Sequence, residues 1–398
     1  MQIKSSYIKP NHYEEDRGLV TWAELVFYVV LVFNLSQLVY YPAYRLLIGY
    51  FNILAGLIVL VIFLSRSFIE VTWTWGILCA LFFGAGAAAA LLNHSSPGTL
   101  IQFLWPLSIA FLFRYSGFSG PYLERTVGIL SVAWLISMVS AFRFSDSYLH
   151  AAELGMEMNG INPNMTAIVL ASTCMYMQLV LEKKQVPRPL RVLLYLVTLI
   201  AVYRTRSRGT FFSFALVIFL SMFLKNRLKK SWKLLLFIMA VAVIAGLLFP
   251  FVYVGLYERN IISDNTEILG KSVFTGRQFI WINLREYLRA HVGAYLYGVG
   301  YNTDLYSTGK FNMHNAYLQL FAQFGLPILG AYLVYLFYSV RSMYGRDGKI
   351  NDVQFKCCQL VLMTICIGFG ETIFSYIPGM IFYAMAVGIG CREKDGGS

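Results

Sequence analysis

Apolar runs long enough to cross a bilayer recur from one end of this chain to the other, and no other feature restricts its fold so strongly. A helix needs about 17–25 largely apolar residues to span the hydrocarbon core. Such runs fall near Trp22–Tyr41, Leu46–Leu64, Val71–Leu92, Thr99–Phe113, Thr126–Phe142 and Met165–Leu181. Others follow near Leu190–Tyr203, Gly209–Leu224, Leu234–Gly255, Asn315–Val340, Cys357–Phe374 and Ile377–Gly390. The expected fold is all-α, a polytopic transmembrane helix bundle of about twelve spans. Residues 1–398 are expected to form a single integral membrane domain. The composition agrees, at 58% hydrophobic and 13% charged, far from that of a soluble chain. A polar, mixed-charge stretch without a small-residue cleavage site precedes the first run, so no cleavable signal peptide is expected.

Basic residues set the orientation. With Lys4, Lys9 and Arg17 in the cytoplasm, alternate loops on that side hold most of the 32 Lys and Arg. They include Lys183, Lys184, Arg188 and Arg191, the run from Lys225 to Lys233, and the group from Arg341 to Lys356. Arg392 and Lys394 place the C-terminus on the same side. The inverted topology would put this majority outside and is rejected. The net charge of +12 therefore reads as a topology signal and an attraction to anionic lipid, with no call for nucleic acid. The six cysteines show no CxxC or His/Cys metal spacing, so buried thiols are expected rather than disulfides, metal ligands or lipid attachment at Cys357-Cys358.

Against that topology, Arg204-Thr-Arg-Ser-Arg208-Gly209 lies between two spans on the extracytoplasmic side, where positive charge is scarce. Three arginines there point to anion binding; snorkelling to lipid headgroups is the plainer reading. Two external segments are large enough for chemistry. One, residues 143–164, carries Asp146, Glu153, Glu157 and the run Asn159-Gly-Ile-Asn-Pro-Asn164, which also reads as a turn before a helix. The other, residues 256–314, is the longest polar stretch. Within it Arg277–Arg289 reads as an amphipathic helix with Ile280, Leu284, Tyr287 and Leu288 on one face and Arg277, Arg285 and Arg289 on the other. Its basic face is expected to meet lipid headgroups. Gly298-Val-Gly300 follows, then His314-Asn315 at the mouth of a span that Gly325-Leu-Pro327 is expected to kink.

These residues resemble the O-antigen ligase and polymerase family of integral membrane glycosyltransferases. The resemblance rests on Thr205-x-Ser207-Arg208-Gly209 opening a helix and on Thr275-Gly-Arg277 followed by Trp281. It continues through Gly298-x-Gly300, His314-Asn315-x-Tyr317-Leu318 and Gly325-Leu-Pro-x-x-Gly330. Asn162-Pro163-Asn164 is a weaker match, and the strong matches run from about residue 203 to 340. Arg204 and Arg206 depart from the pattern by adding charge beside Arg208.

The resemblance implies an enzyme of the bacterial inner (plasma) membrane, with both termini cytoplasmic. It would move a glycan from a polyprenyl-pyrophosphate carrier to a hydroxyl of a glycan or lipid-core acceptor on the outer face. Arginine suits a pyrophosphate leaving group because its planar fork binds phosphate oxygens in pairs and stays charged. Arg208 and Arg277 are the first candidates, with Arg204, Arg206, Arg289 and Asn315 also assigned to substrate. The acceptor hydroxyl needs a base near neutral pH; His314 is preferred, with Glu371 as rival. Asn315 also suits a helix cap, and Arg285 and Arg289 suit headgroups. With no Asp-x-Asp motif, no metal and no cofactor are expected. A repeat-unit polymerase is favoured, a ligase to a lipid core or protein is the alternative, and a lipid-linked oligosaccharide flippase is the competitor of another class. Against the flippase, the ionisable candidates cluster at span ends rather than at the midplane, and no internal repeat stands out.

Overall fold

The computed structural model describes residues 25–38, 73–93, 120–143, 162–263, 266–274, 276–300, 312–345, 347–375 and 377–395. The expected spans Leu46–Leu64 and Thr99–Phe113, and most of the external segment 143–164, lie outside the described residues. The helices are α1 (Leu25–Leu35), α2 (Trp73–Leu92), α3 (Gly120–Arg143), α4 (Pro163–Lys183), α5 (Arg188–Arg204) and α6 (Arg208–Leu228). They continue with α7 (Trp232–Glu258), α8 (Arg277–Ala290), α9 (Ala294–Tyr297), α10 (Ala316–Met343), α11 (Asp352–Ile367) and α12 (Ile377–Asp395). Five of them (α3 from Leu123, α4, α6, α7 and α10) are long and apolar enough to cross a membrane. The expected twelve spans are thus not reached among the described residues. A two-strand hairpin, β1 (Glu267–Ile268) with β2 (Lys271–Ser272), is a small departure from the all-α expectation.

Helix α11 is the axis of the bundle. Every residue from Gln354 to Ile367 is buried, and α4, α6, α7, α10 and α12 pack around it. That accounts for a run with no solvent-facing polar stripe: its polar residues Lys356 and Gln359 are buried and bonded to Tyr195 and Ser221. Its N-terminus is fixed by a capping box between Asn351 and Gln354. It ends earlier than expected, at Ile367, because Gly368-Phe-Gly370 turns the chain. The turn is pinned by Ala316 N–H donating to Gly368 O at 2.8 Å, so Glu371 comes to lie at the mouth of α10.

The outer flanks show the opposite pattern. On α7, Phe237, Val241, Ile244, Leu248 and Phe251 form one exposed apolar stripe at helical spacing. Leu193, Leu196 and Ile200 on α5 and Val132, Leu135 and Val139 on α3 do the same. A continuous exposed apolar flank of this kind suits lipid and would be an aggregation hazard in water. The protein is a membrane protein.

Two glycine motifs explain each other. Gly325 is non-helical (φ +81°) inside α10 and is followed by Pro327, which breaks the backbone ladder there. The carbonyl of Ala322 is taken instead by the amides of Val299 at 2.6 Å and Gly300 at 3.2 Å. Approach is so close that a Cβ on Gly325 would sit 2.2 Å from Leu296 O, and one on Gly298 would sit 2.6 Å from the Gln323 backbone. Gly298-x-Gly300 is therefore the latch of the α10 kink.

Cys174, Cys357, Cys358, Cys366 and Cys391 are buried free thiols.

Candidate functional site

A cleft of about 270 Å³ opens at one end of the bundle, lined by Asn164, Arg206, Arg208, Gly209, Arg277, His314, Gly370 and Glu371. Its most telling property is backbone geometry: four helices begin at it. Asn164 lies in the first turn of α4, Arg208 and Gly209 open α6, Arg277 opens α8, and His314 immediately precedes the N-cap of α10. Helix N-termini carry partial positive charge and inward-facing amides, which favours anions. Neither α6 nor α8 has a side-chain cap: Ser207 turns its hydroxyl to Thr210 Oγ1 at 3.2 Å, and the N-cap of α8 is Gly276. Three guanidiniums add full charges and meet a single carboxylate among the lining residues.

The arginines are held differently. Arg206 ends α5 in a left-handed conformation (φ 54°) and donates to Gly270 O at 3.1 Å, at the tip of the β1–β2 hairpin. Arg208 is half-buried and, among the described residues, meets no carboxylate. Arg277 Nη2 donates to Glu371 Oε1 at 3.2 Å, and Asn164 Nδ2 donates to the same oxygen at 2.8 Å. Residues from three distant stretches thus share one carboxylate oxygen. A Cβ on Gly370 would lie 3.1 Å from Arg277 Nη1, so glycine there gives the guanidinium room.

His314 also has left-handed backbone, φ 49°. Such positions cost of order 1 kcal/mol or more in a non-glycine residue and persist only where neighbours enforce them. Here Asn312 Oδ1 accepts from His314 N–H at 2.8 Å, Trp281 Nε1 donates to Met313 O at 2.7 Å, and Met313 N–H donates to Gln319 Oε1 at 2.8 Å. Trp281 itself is wedged against Phe249 and Tyr253 of α7. Burial, reinforced by the Arg277 charge, pushes the imidazole pKa from 6.5 down to about 4, so the ring is neutral at physiological pH. Its Nδ1 is buried without a hydrogen-bond partner. A neutral imidazole with an unused nitrogen, set among guanidiniums, is equipped to receive a proton or a hydrogen bond.

Four of the residues expected from sequence, Arg206, Arg208, Arg277 and His314, meet in this cleft, and the remaining three do not line it. Arg204 is exposed at the last turn of α5. Arg289 lies a full helix away from Arg277, 65% exposed and paired with Glu286 at 2.9 Å. Asn315 is fully buried; its Oδ1 caps α10 by accepting from the Tyr317 and Leu318 amides, and its Nδ2 donates to Gly246 O and Phe369 O. Its side chain is therefore committed to tying α7, α10 and the α11 turn together. The surface face expected of α8 is also revised. The buried residues are Gln278, Trp281, Leu284 and Leu288, while Arg285 forms a two-point pair with Glu258 at 2.7 and 3.1 Å. The helix packs on α7, and its arginines are met by carboxylates.

Residues 193–333 match the family model described as O-antigen ligase. No curated protein and no solved structure matches the chain. The matched region holds Arg206, Arg208, Arg277 and His314, while Asn164 and Glu371 reach the cleft from either side of it. Over residues 193–333, the stretch that supplies the cleft arginines and His314, the chain is similar to the O-antigen ligase family.

Proposed function

We propose that this protein is a surface polysaccharide repeat-unit polymerase that takes its donor as a polyprenyl-pyrophosphate-linked glycan and works on the extracytoplasmic face. The observation that carries the reading is the convergence of Arg206, Arg208, Arg277 and His314 on four helix N-termini in one cleft. The cleft end holds the arginine turn, and the opposite end holds the lysine-rich loops around residues 183–191 and 225–233. By the positive-inside rule, the proposed orientation has the lysine end facing the cytoplasm of a bacterial inner membrane, with cytoplasmic termini.

In the proposed reaction the acceptor hydroxyl oxygen attacks the anomeric carbon of the donor sugar. The carbon–oxygen bond to pyrophosphate breaks, and its electron pair leaves with the phosphate. Arg208 and Arg277 bind the leaving group and stabilise the charge that develops on it, with Arg206 as the third contact. The acceptor's proton passes to the imidazole of His314. A bound pyrophosphate offsets the Arg277 charge that depresses the imidazole, so donor binding itself raises the basicity of His314. Arginine supplies the electrostatics in this scheme, and no metal is invoked.

The test uses purified protein with one lipid-pyrophosphate-linked repeat unit and chelator, with products sized by mass spectrometry. A ladder of lengthening glycans that disappears in Arg208→Ala supports a metal-independent polymerase. Transfer seen only after adding a lipid-core or protein acceptor makes it a ligase, which uses the same donor site. No transfer to any acceptor favours a flippase.

A further inference from the structure

We infer that the Arg277–Glu371 ion pair is an exchange switch: the pyrophosphate of the donor takes Arg277 from Glu371, and the released carboxylate, kept in place by Asn164, then receives the acceptor hydroxyl. This rests on the donor reading given above and adds an order of events to it.

The pair is built for displacement. It is a single contact at 3.2 Å, longer than the 2.7–2.9 Å typical of charge-assisted bonds, and Asn164 competes for the same oxygen at 2.8 Å. Only a few residues beyond, the same helix α8 carries an arginine pair of the opposite kind, with Arg285 gripping both oxygens of Glu258. Both Arg277 and Glu371 are about four-fifths buried, at 20% and 19% side-chain exposure, so breaking their contact without a replacement is unfavourable. A phosphate group supplies that replacement with more charge and more acceptor oxygens than one carboxylate.

Once Arg277 turns to phosphate, Glu371 does not leave the cleft. Asn164 holds Oε1 from the first turn of α4, and the backbone of Glu371 is fixed by its amide donating to Ile367 O. Relieved of the Arg277 contact, the carboxylate is a better acceptor for a sugar hydroxyl. Glu371 is then an acceptor-binding residue beside His314, which remains the base, and productive acceptor binding follows donor binding.

The experiment is a titration of purified protein with inorganic pyrophosphate. If Glu371 competes for Arg277, Glu371→Gln binds pyrophosphate more tightly than wild type, by about fivefold to tenfold, the lower range of measured site-to-site couplings. If Glu371 merely holds Arg277 in position, the same variant binds pyrophosphate more weakly, and unchanged or weakened affinity overturns the exchange. Should Glu371→Gln fail to fold, Glu371→Asp tests the same point: the shortened carboxylate falls short of Arg277, and affinity again rises. A wild-type protein that binds no pyrophosphate at all sinks the donor reading itself, which separates the two failures.

Discussion

The two ends of this bundle handle charge in opposite ways. At the lysine end the acids are closed into shared pairs: Lys225 bridges Glu182 and Asp352 at 2.5 and 2.7 Å, Lys229 adds a second contact to Asp352, and Arg191 a second to Glu182. At the arginine end, three guanidiniums line one cleft beside Glu371, whose Oε1 accepts from Arg277 and Asn164, and helix N-termini add to the same sign. Paired charge holds helices in register and offers nothing to a ligand. Charge left in excess inside a cleft lowers stability and is kept where an anion will arrive. The contrast supports the proposed division between a structural end and a working end.

The largest effects should come from removing excess charge at the arginine end. Arg208→Ala or Arg277→Ala should lower transfer by about a hundredfold or more, the scale of losing one charge-stabilising donor, with membrane insertion intact. Arg208→Lys should stay impaired, because a point charge does not reproduce a two-point fork. Full activity in the lysine variant would show that net charge alone suffices and would erase the geometric half of the comparison.

Next comes His314. His314→Ala should cut turnover about a hundredfold, the lower range for a lost general base, with much less effect on donor affinity. A tenfold loss of donor affinity with normal turnover reassigns it to substrate holding. In the wild type, the acid limb of kcat/KM should fall near pH 4 rather than 6.5, since the cleft keeps the ring neutral; in kcat it should shift upward once a bound anion offsets Arg277. The sign for stability follows. Between pH 6.5 and 4 the unfolded chain binds the proton that the folded chain refuses, so this residue favours the fold above pH 6.5 and that contribution is lost on acidification. Thermal scans should show this slope reduced in His314→Gln.

Smaller effects should come from the paired regions, and they should register as stability rather than rate. Asn315→Ala removes a helix cap and two cross-helix bonds and should cost about 2 kcal/mol or more, read as lowered thermal midpoint. Glu182→Gln should cost about 1 kcal/mol, with pyrophosphate affinity unchanged. Arg289→Ala, on an exposed pair, should leave both readouts near wild type. A large activity loss in Glu182→Gln would break the division between the two ends.

How much of this was legible in the chain depends on the range over which each signal acts. Arg208 and His314 stand out by a local sign, a charged or titratable residue at the start of an apolar run, whereas Arg277 opens an amphipathic helix and is singled out through the family resemblance. Asn315 was read both as ligand and as cap, and only packing, through Gly246 and Phe369, decides for the cap. Arg289 groups with Arg277 by helical periodicity, which puts them on one face; about three turns of helix separate them, and length along the axis is what periodicity ignores. The face of α8 was misjudged for a related reason. Its apolar arc is wide, and the partner that selects Trp281 over Ile280 is a cluster of aromatic rings on α7. Glu371 was visible only as a rival base, because its partners Asn164 and Arg277 lie 207 and 94 residues away. The hairpin that contacts Arg206 left little trace, being two residues per strand.

The exposed stripe along α7 bears on how a donor with an isoprenoid tail would find the cleft. The stripe climbs from Phe237 to Phe251, and Trp281, which secures the segment carrying His314, leans on the same helix from the cleft side. A tailed donor already dissolved in the bilayer would meet this helix by diffusing in a plane, head group level with the arginines before any contact forms. Its encounter rate would then scale with surface density and membrane fluidity, and be largely indifferent to the ionic strength of the surrounding water.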